Sequence, residues 1–231
     1  MPSPAAERLV RSVVPHAVSS ASRVTAPARI MAGARRRRGL RGEVELYFGF
    51  DDPCSAIAVI DLAGRLQGRD VDLLLSPVVR RGIPGDPAAQ AKRSYAVTDA
   101  GRLARRLGLG LSRTAPLAAE DTEFLAGWAA GADGGPALTG FCVDAMRRLW
   151  FESDGPIERG DYHRIWLERF SAEPPPRSRT APALRMFEAR MGRRGPYETP
   201  AAWIQGRWYF AHERSDSICE WLDELGWRVS P

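Results

Sequence analysis

From Glu43 onward apolar and polar positions alternate: Val44, Leu46, Phe48 and Phe50 stand between Glu45, Tyr47 and Gly49. A period of two sends successive side chains to opposite faces, so this segment predicts a strand. Asp51-Asp52-Pro53 predicts a helix start, because an Asp supplies a side-chain cap and proline suits the first helical position. Ile57, Ala58, Ile60 and Leu62 carry that helix to about Gln67, and Gly68 ends it. Val71–Val79 is nearly continuous Leu and Val, which predicts a strand covered on both faces. Strand, helix and strand with short links form a βαβ unit of right-handed connection.

The period then changes to helical. Helices are expected over 88–107, 118–132, 137–151, 158–170 and 181–191, with Pro174-Pro175-Pro176 as a loop between the last two. Ala201–Ile204 and Trp208–Phe210 flank Gln205-Gly206-Arg207 and predict a hairpin. A closing amphipathic helix sets Ile218, Trp221, Leu222 and Leu225 at core spacing. The order is β-α-β, a helical stretch, then β-β-α. It makes most sense as one small sheet built from residues 43–84 and 195–231, with a helical insertion over 85–194.

Composition narrows the class. With 231 residues and 44% hydrophobic content the chain can bury a sizeable core. No run approaches a membrane-spanning length, so no span is expected. The net charge of +5 arises from 33 basic and 28 acidic residues, mixed except at Arg35-Arg36-Arg37-Arg38. Lys92 is the single lysine. Residues 1–42 read as a basic, Ala/Ser/Arg-rich arm, with a short helix over 5–14, and carry no secretory h-region. The four-arginine run comes with no nucleic-acid reading motif, so no nucleic-acid partner is expected. Cys54, Cys142 and Cys219 form no CxxC pair, and His16 and His163 have no ligand spacing. No disulfide framework and no metal site are expected, and the compartment reads as reducing and cytoplasmic.

Four short segments carry a resemblance. Val44-Glu45-Leu46-Tyr47-Phe48-Gly49-Phe50-Asp51-Asp52-Pro53-Cys54-Ser55 is an aromatic-rich strand leading into a helix start. Ala91-Lys92-Arg93-Ser94-Tyr95 opens the first helix of the insertion. Gly195-Pro196-Tyr197-Glu198-Thr199-Pro200 precedes the hairpin, and Tyr209-Phe210-Ala211-His212-Glu213-Arg214 follows it. In this order they resemble the DsbA-like group, closest to 2-hydroxychromene-2-carboxylate isomerases and kappa-class glutathione transferases. The resemblance implies an α/β thioredoxin fold with a helical insertion domain. It also implies a glutathione-dependent isomerase or transferase acting on an aromatic or electrophilic small molecule, with glutathione as cofactor and a homodimer as the assembly.

On that resemblance Asp52 and Ser55 take the catalytic positions. Cys54, Lys92, Thr199, Pro200, His212 and Glu213 take the substrate- and glutathione-binding positions, with Pro200 matching a cis-proline and Glu213 the group that meets the γ-glutamyl amine. One departure matters most. Where relatives place a Cys or Ser nucleophile this chain has Asp52, and where dithiol enzymes place the resolving Cys it has Ser55. Dithiol–disulfide exchange needs both thiols, so that chemistry is excluded here. A thiolate about 4 Å from an ionised Asp52 meets repulsion of about 4 kcal/mol, roughly three decades in affinity. Asp52 reads as a helix cap or as a reacting group, Asp51 as solvated, Cys54 as a packed thiol or a contact, and His212 as a surface or site residue. Two alternatives stand beside the enzyme reading. One is a non-catalytic thioredoxin-fold binding module. The other is a glutathione-independent acid/base isomerase using Asp52 with Asp51, Tyr95 or His212.

Overall fold

The computed structural model describes residues 26–228. Among these are four strands and eight α-helices, which from residue 42 onward follow the expected order. They are α1 (Ala26–Arg37), β1 (Gly42–Phe48), α2 (Pro53–Arg65), β2 (Val71–Pro77), α3 (Ala89–Arg106), α4 (Ala119–Gly131), α5 (Pro136–Arg147), α6 (Arg159–Phe170), α7 (Arg177–Arg194), β3 (Ala201–Ile204), β4 (Arg207–Phe210) and α8 (Ser215–Glu224). A π-helical turn, Arg148–Glu152, extends α5. The sheet order is β2-β1-β3-β4. β1 runs parallel to β2 with Leu46 opposite Leu75, and antiparallel to β3 with Leu46 opposite Ala202.

The period-two alternation of β1 divides the two faces of the sheet. Val44, Leu46 and Phe48 enter the main core with Val59 and Leu62 of α2 and with Ile218, Trp221 and Leu222 of α8. On the opposite face Tyr47 packs with Val78, Met191, Phe187 and Trp208, so α7 lies across it. β3 and β4 join through Gln205 and Gly206, both at positive φ, the two-residue turn whose twist matches a hairpin. Gly suits such a position, while Gln205 at φ 43° is the less usual occupant.

Several elements differ from expectation. β2 is an edge strand, and Asp72 and Leu74 are exposed, so only its second half is covered on both faces. α7 starts at Arg177 and runs through Pro182 to Arg194. Its first turn is held by packing: Thr180 is buried against Gly131 of α4, where a side-chain Cβ would lie 2.9 Å from Thr180 and from Pro175. Intrinsic propensity yields here to tertiary contact.

The basic segment also differs, since residues 26–37 form α1 and bury Ala28 and Ala32. Arg35 bonds Glu43 at 2.7 Å and the Arg41 carbonyl at 2.8 Å, and the Arg36 guanidinium lies over the Trp227 ring at 5.7 Å. Aliphatic stems and paired heads make this run part of the fold's surface. The helix expected over 5–14 lies outside the described residues. No described helix is long and apolar enough to cross a membrane.

Candidate functional site

β1 and the start of α2 present the candidate site. Asp52 has extended backbone (φ −112°, ψ 112°), and its Oδ1 accepts from the Cys54 N–H at 3.0 Å, so it caps α2. Its Oδ2 accepts from the Ser55 hydroxyl at 2.5 Å and from the Thr199 hydroxyl at 2.9 Å. Ser55 Oγ in turn accepts from the Gly49 N–H at 3.2 Å. Asp52 is 7% exposed and Ser55 fully buried. The carboxylate is therefore held by three donors, and the serine hydroxyl spends its proton on Asp52. The Thr199–Pro200 peptide is cis, and the Thr199 side chain is what reaches the helix start. Its main-chain N–H and C=O make no hydrogen bond among the described residues.

Asp51 contradicts the solvated expectation. It is 8% exposed and takes a two-pronged ion pair from Arg81, at 2.8 Å for each oxygen. Gly49 makes room for it, because a Cβ there would lie 2.7 Å from Arg81 Nη1. Burial works against the Arg81 charge, but Asp51, Asp52 and Glu198 outweigh it and hold the guanidinium above its ordinary pKa. The segment carrying Arg81 is fastened elsewhere too. Glu188 of α7 accepts from the Arg80 N–H at 2.9 Å, and the Gly82 N–H donates to the Tyr197 carbonyl at 2.5 Å. Arg81 carried no signal in the sequence beyond being one of two arginines after a strand.

The other expected site residues are placed as follows. Cys54 is 6% exposed, with its thiol 3.9 Å from the Ala96 carbonyl of α3. Burial pushes this thiol up, and the Asp52, Asp99 and Glu213 charges push it further, so it does not ionise near neutrality. Lys92 is exposed and pairs with Asp86 at 2.6 Å. Tyr95 is 61% exposed. His212 is half-buried, with an enclosed Nδ1 that has no partner among the described residues. Glu213 is exposed. Asp52, Ser55, Cys54, Thr199 and Pro200 are thus brought together. Lys92 is turned to a local acid instead. Among the described residues no three His, Cys, Asp or Glu groups are arranged to hold a metal ion.

Among the described residues, two grooves lie away from Asp52. One of about 830 Å³ lies between α4, α6 and the start of α7, and one of about 730 Å³ beside β2.

Neither a family model nor a curated protein matches the chain. Similar solved structures include a 2-hydroxychromene-2-carboxylate isomerase, with TM-score 0.58 and 16% identity, covering 80% of this chain and 96% of that one. They also include the oxidoreductase DsbA from Xylella fastidiosa, with TM-score 0.33, 18% identity, and coverage of 80% and 86%. The second superposition is too loose to bear weight. The first, with the sheet order and the helices between β2 and β3, decides the architecture. The fold is DsbA-like. The start of α2 and the residue before the cis-proline meet here through the Asp52 carboxylate and the Thr199 hydroxyl.

Proposed function

We propose that the protein is a thioredoxin-fold binding module whose nucleophile position has become a structural clasp, so that it performs no thiol chemistry at the start of α2. The observation that carries this reading is the saturation of Asp52 by the Cys54 N–H and the Ser55 and Thr199 hydroxyls. A ligand thiolate at this place would need a donor, and both hydroxyls already serve the carboxylate. The surrounding charge argues the same way. Asp52, Asp99 and Glu213 all bear on Cys54, while the nearby cations Arg81 and Lys92 are taken by Asp51 and Asp86. An anionic sulfur would enter a field of its own sign.

A second reading is glutathione-dependent isomerisation or transfer on an aromatic or electrophilic small molecule. It draws support from the fold shared with 2-hydroxychromene-2-carboxylate isomerase and from the free main-chain groups of Thr199, which could pair with a peptide-like ligand as an added strand. It requires the sulfur to stay protonated and turned from Asp52.

A thermal-shift titration with reduced glutathione, run on the natural protein and on Asp52→Ser, separates the two. A ligand at about ten times its Kd adds about 1.4 kcal/mol, or roughly 3–5 °C for a chain of this size. The binding-module reading expects no shift for the natural protein, and a shift for Asp52→Ser shows that Asp52 closed the cleft to glutathione. A shift of that size in the natural protein overturns it in favour of the enzyme.

A further inference from the structure

The helix α1 meets the fold along one narrow face, where Ala28 and Ala32 are its buried residues. Helical spacing sets Ile30, Ala34 and Arg37 in one stripe on the far side, with Met31 beside them. Ile30 is 67% exposed, more than any other large apolar side chain among the described residues, and Met31 is 58% exposed. Leu40, in the turn whose N–H returns to the Arg35 carbonyl, is exposed as well. The charge along this helix is unevenly answered. Arg29 pairs with Glu224 at 2.9 Å, Arg35 with Glu43 at 2.7 Å, and the Arg36 guanidinium rests over Trp227. Arg37 and Arg38 are exposed, and among the described residues neither meets a carboxylate. Arg37 turns only its Nε inward, to the Gly33 carbonyl at 3.3 Å. The sequence offers little to neutralise them, since Glu7 is the single acid before Glu43 while nine arginines fall in that stretch.

We propose that the outer face of α1 lies on an anionic lipid surface, with Ile30 and Met31 entering the headgroup region and Arg37 and Arg38 on lipid phosphates. A helix that binds in the plane of an interface draws on buried apolar area and on attraction between its cations and anionic lipid. Both parts are present here. The apolar pair stands out from the helix instead of lining a groove, so a bilayer can accept it where a protein partner would need a matching cavity. A nucleic acid would meet the same arginines but would press Ile30 and Met31 against its phosphates. The aliphatic stems of the arginines reach past the apolar level to charged headgroups. α1 precedes β1, whereas Asp52 follows it, so this face lies at the other end of the strand from the start of α2 and goes beyond the function proposed above.

Co-sedimentation of the full chain with vesicles tests the proposal. One set holds equal parts of phosphatidylglycerol and phosphatidylcholine, the other phosphatidylcholine alone, each at low and high salt. The chain should bind the anionic vesicles only, and high salt should weaken that binding. Arg37→Gln combined with Arg38→Gln should weaken it about twentyfold, at about fivefold for each cation brought to the surface. Ile30→Gln combined with Met31→Gln should weaken it about tenfold or more, because those side chains no longer leave water. All four positions are exposed and glutamine suits a helix, so melting temperatures should barely change. No sedimentation with anionic vesicles, equal binding to both kinds of vesicle, or undiminished binding in the arginine variant would each overturn the proposal. Undiminished binding in the Ile30 and Met31 variant would overturn it too, and would point to a polyanion read by charge alone, such as a nucleic acid.

Discussion

Glu45 within β1 and Asp52 just beyond it are both buried carboxylates, 5% and 7% exposed, yet their surroundings answer the charge in opposite ways. Glu45 lies under α7 and is met by two cations. Arg190 bonds its Oε1 at 3.0 Å and Arg194 bonds its Oε2, while the Tyr47 and Ser76 hydroxyls donate to Oε1 at 2.8 and 3.2 Å. Asp52 is met by neutral donors only, and the nearest guanidinium is committed to Asp51. The first arrangement ties an inserted helix to the sheet by charge. The second holds the start of α2 to the residue before Pro200 through neutral donors and gives the carboxylate no cation of its own. Burial of an acid is therefore not one signal: one carboxylate is answered by cations across the fold, the other by neutral donors around a helix start.

The largest expected effect comes from breaking the charged centre. Glu45→Ala leaves Arg190 and Arg194 facing each other beside the buried Tyr47 hydroxyl. Removing one member of such a network costs about 3–5 kcal/mol, or roughly 10 °C in melting temperature. The effect should depend on pH. Burial alone would raise the Glu45 carboxyl, but the Tyr47 hydrogen bond and the Arg190 and Arg194 charges outweigh it and hold it below its ordinary 4.5. A carboxyl depressed in the folded state stabilises fully above the unfolded value and loses that contribution as pH falls through the folded one. Denaturant unfolding of the natural protein and Glu45→Gln should thus differ most above pH 4.5 and converge below it. A gap independent of pH would remove Glu45 from the account.

Asp52→Ala should cost less, about 2–4 kcal/mol. That figure combines a lost helix cap with the Ser55 and Thr199 hydroxyls left without their acceptor. Thr199→Val tests whether the clasp is one unit. In a double-mutant cycle the two substitutions should couple by about 0.5–2 kcal/mol, whereas additive losses would mean that Asp52 is a cap and nothing more.

The same comparison shows what the sequence made legible. The period-two run of β1, the Asp-Pro helix start and the spacing of Ile218, Trp221, Leu222 and Leu225 depend on local pattern, and they stand in the structure as read. The Asp52 cap was readable for the same reason, since its acceptor role involves an N–H two residues away. Its link to Thr199 spans 147 residues and the Asp51–Arg81 pair 30, and no periodicity encodes such pairings. Glu45 looked like the polar half of an alternating strand. Its burial follows from α7 lying on that face, a fact carried by residues far along the chain. The arginines of α1 were unreadable for the converse reason: a run of like charges says nothing about which acids fold back to meet it.

The smallest effect should come from an arginine–carboxylate cluster in water. Arg41 bonds Asp72 at 2.6 Å and Asp70 at 2.8 Å, with geometry as good as that around Glu45, but its side chain is 48% exposed. Solvent screens the charges, and holding the long side chain costs rotamer freedom, so Arg41→Gln should lower stability by less than about 1 kcal/mol. Raising the salt should shrink even that loss, while the Glu45→Ala deficit should barely move, because screening reaches exposed pairs far more than enclosed ones. Chemical denaturation at low and high salt measures both. If Arg41→Gln proved as costly as Glu45→Ala, good geometry alone would set the strength of these pairs, and the contrast between enclosed and exposed carboxylates would fail.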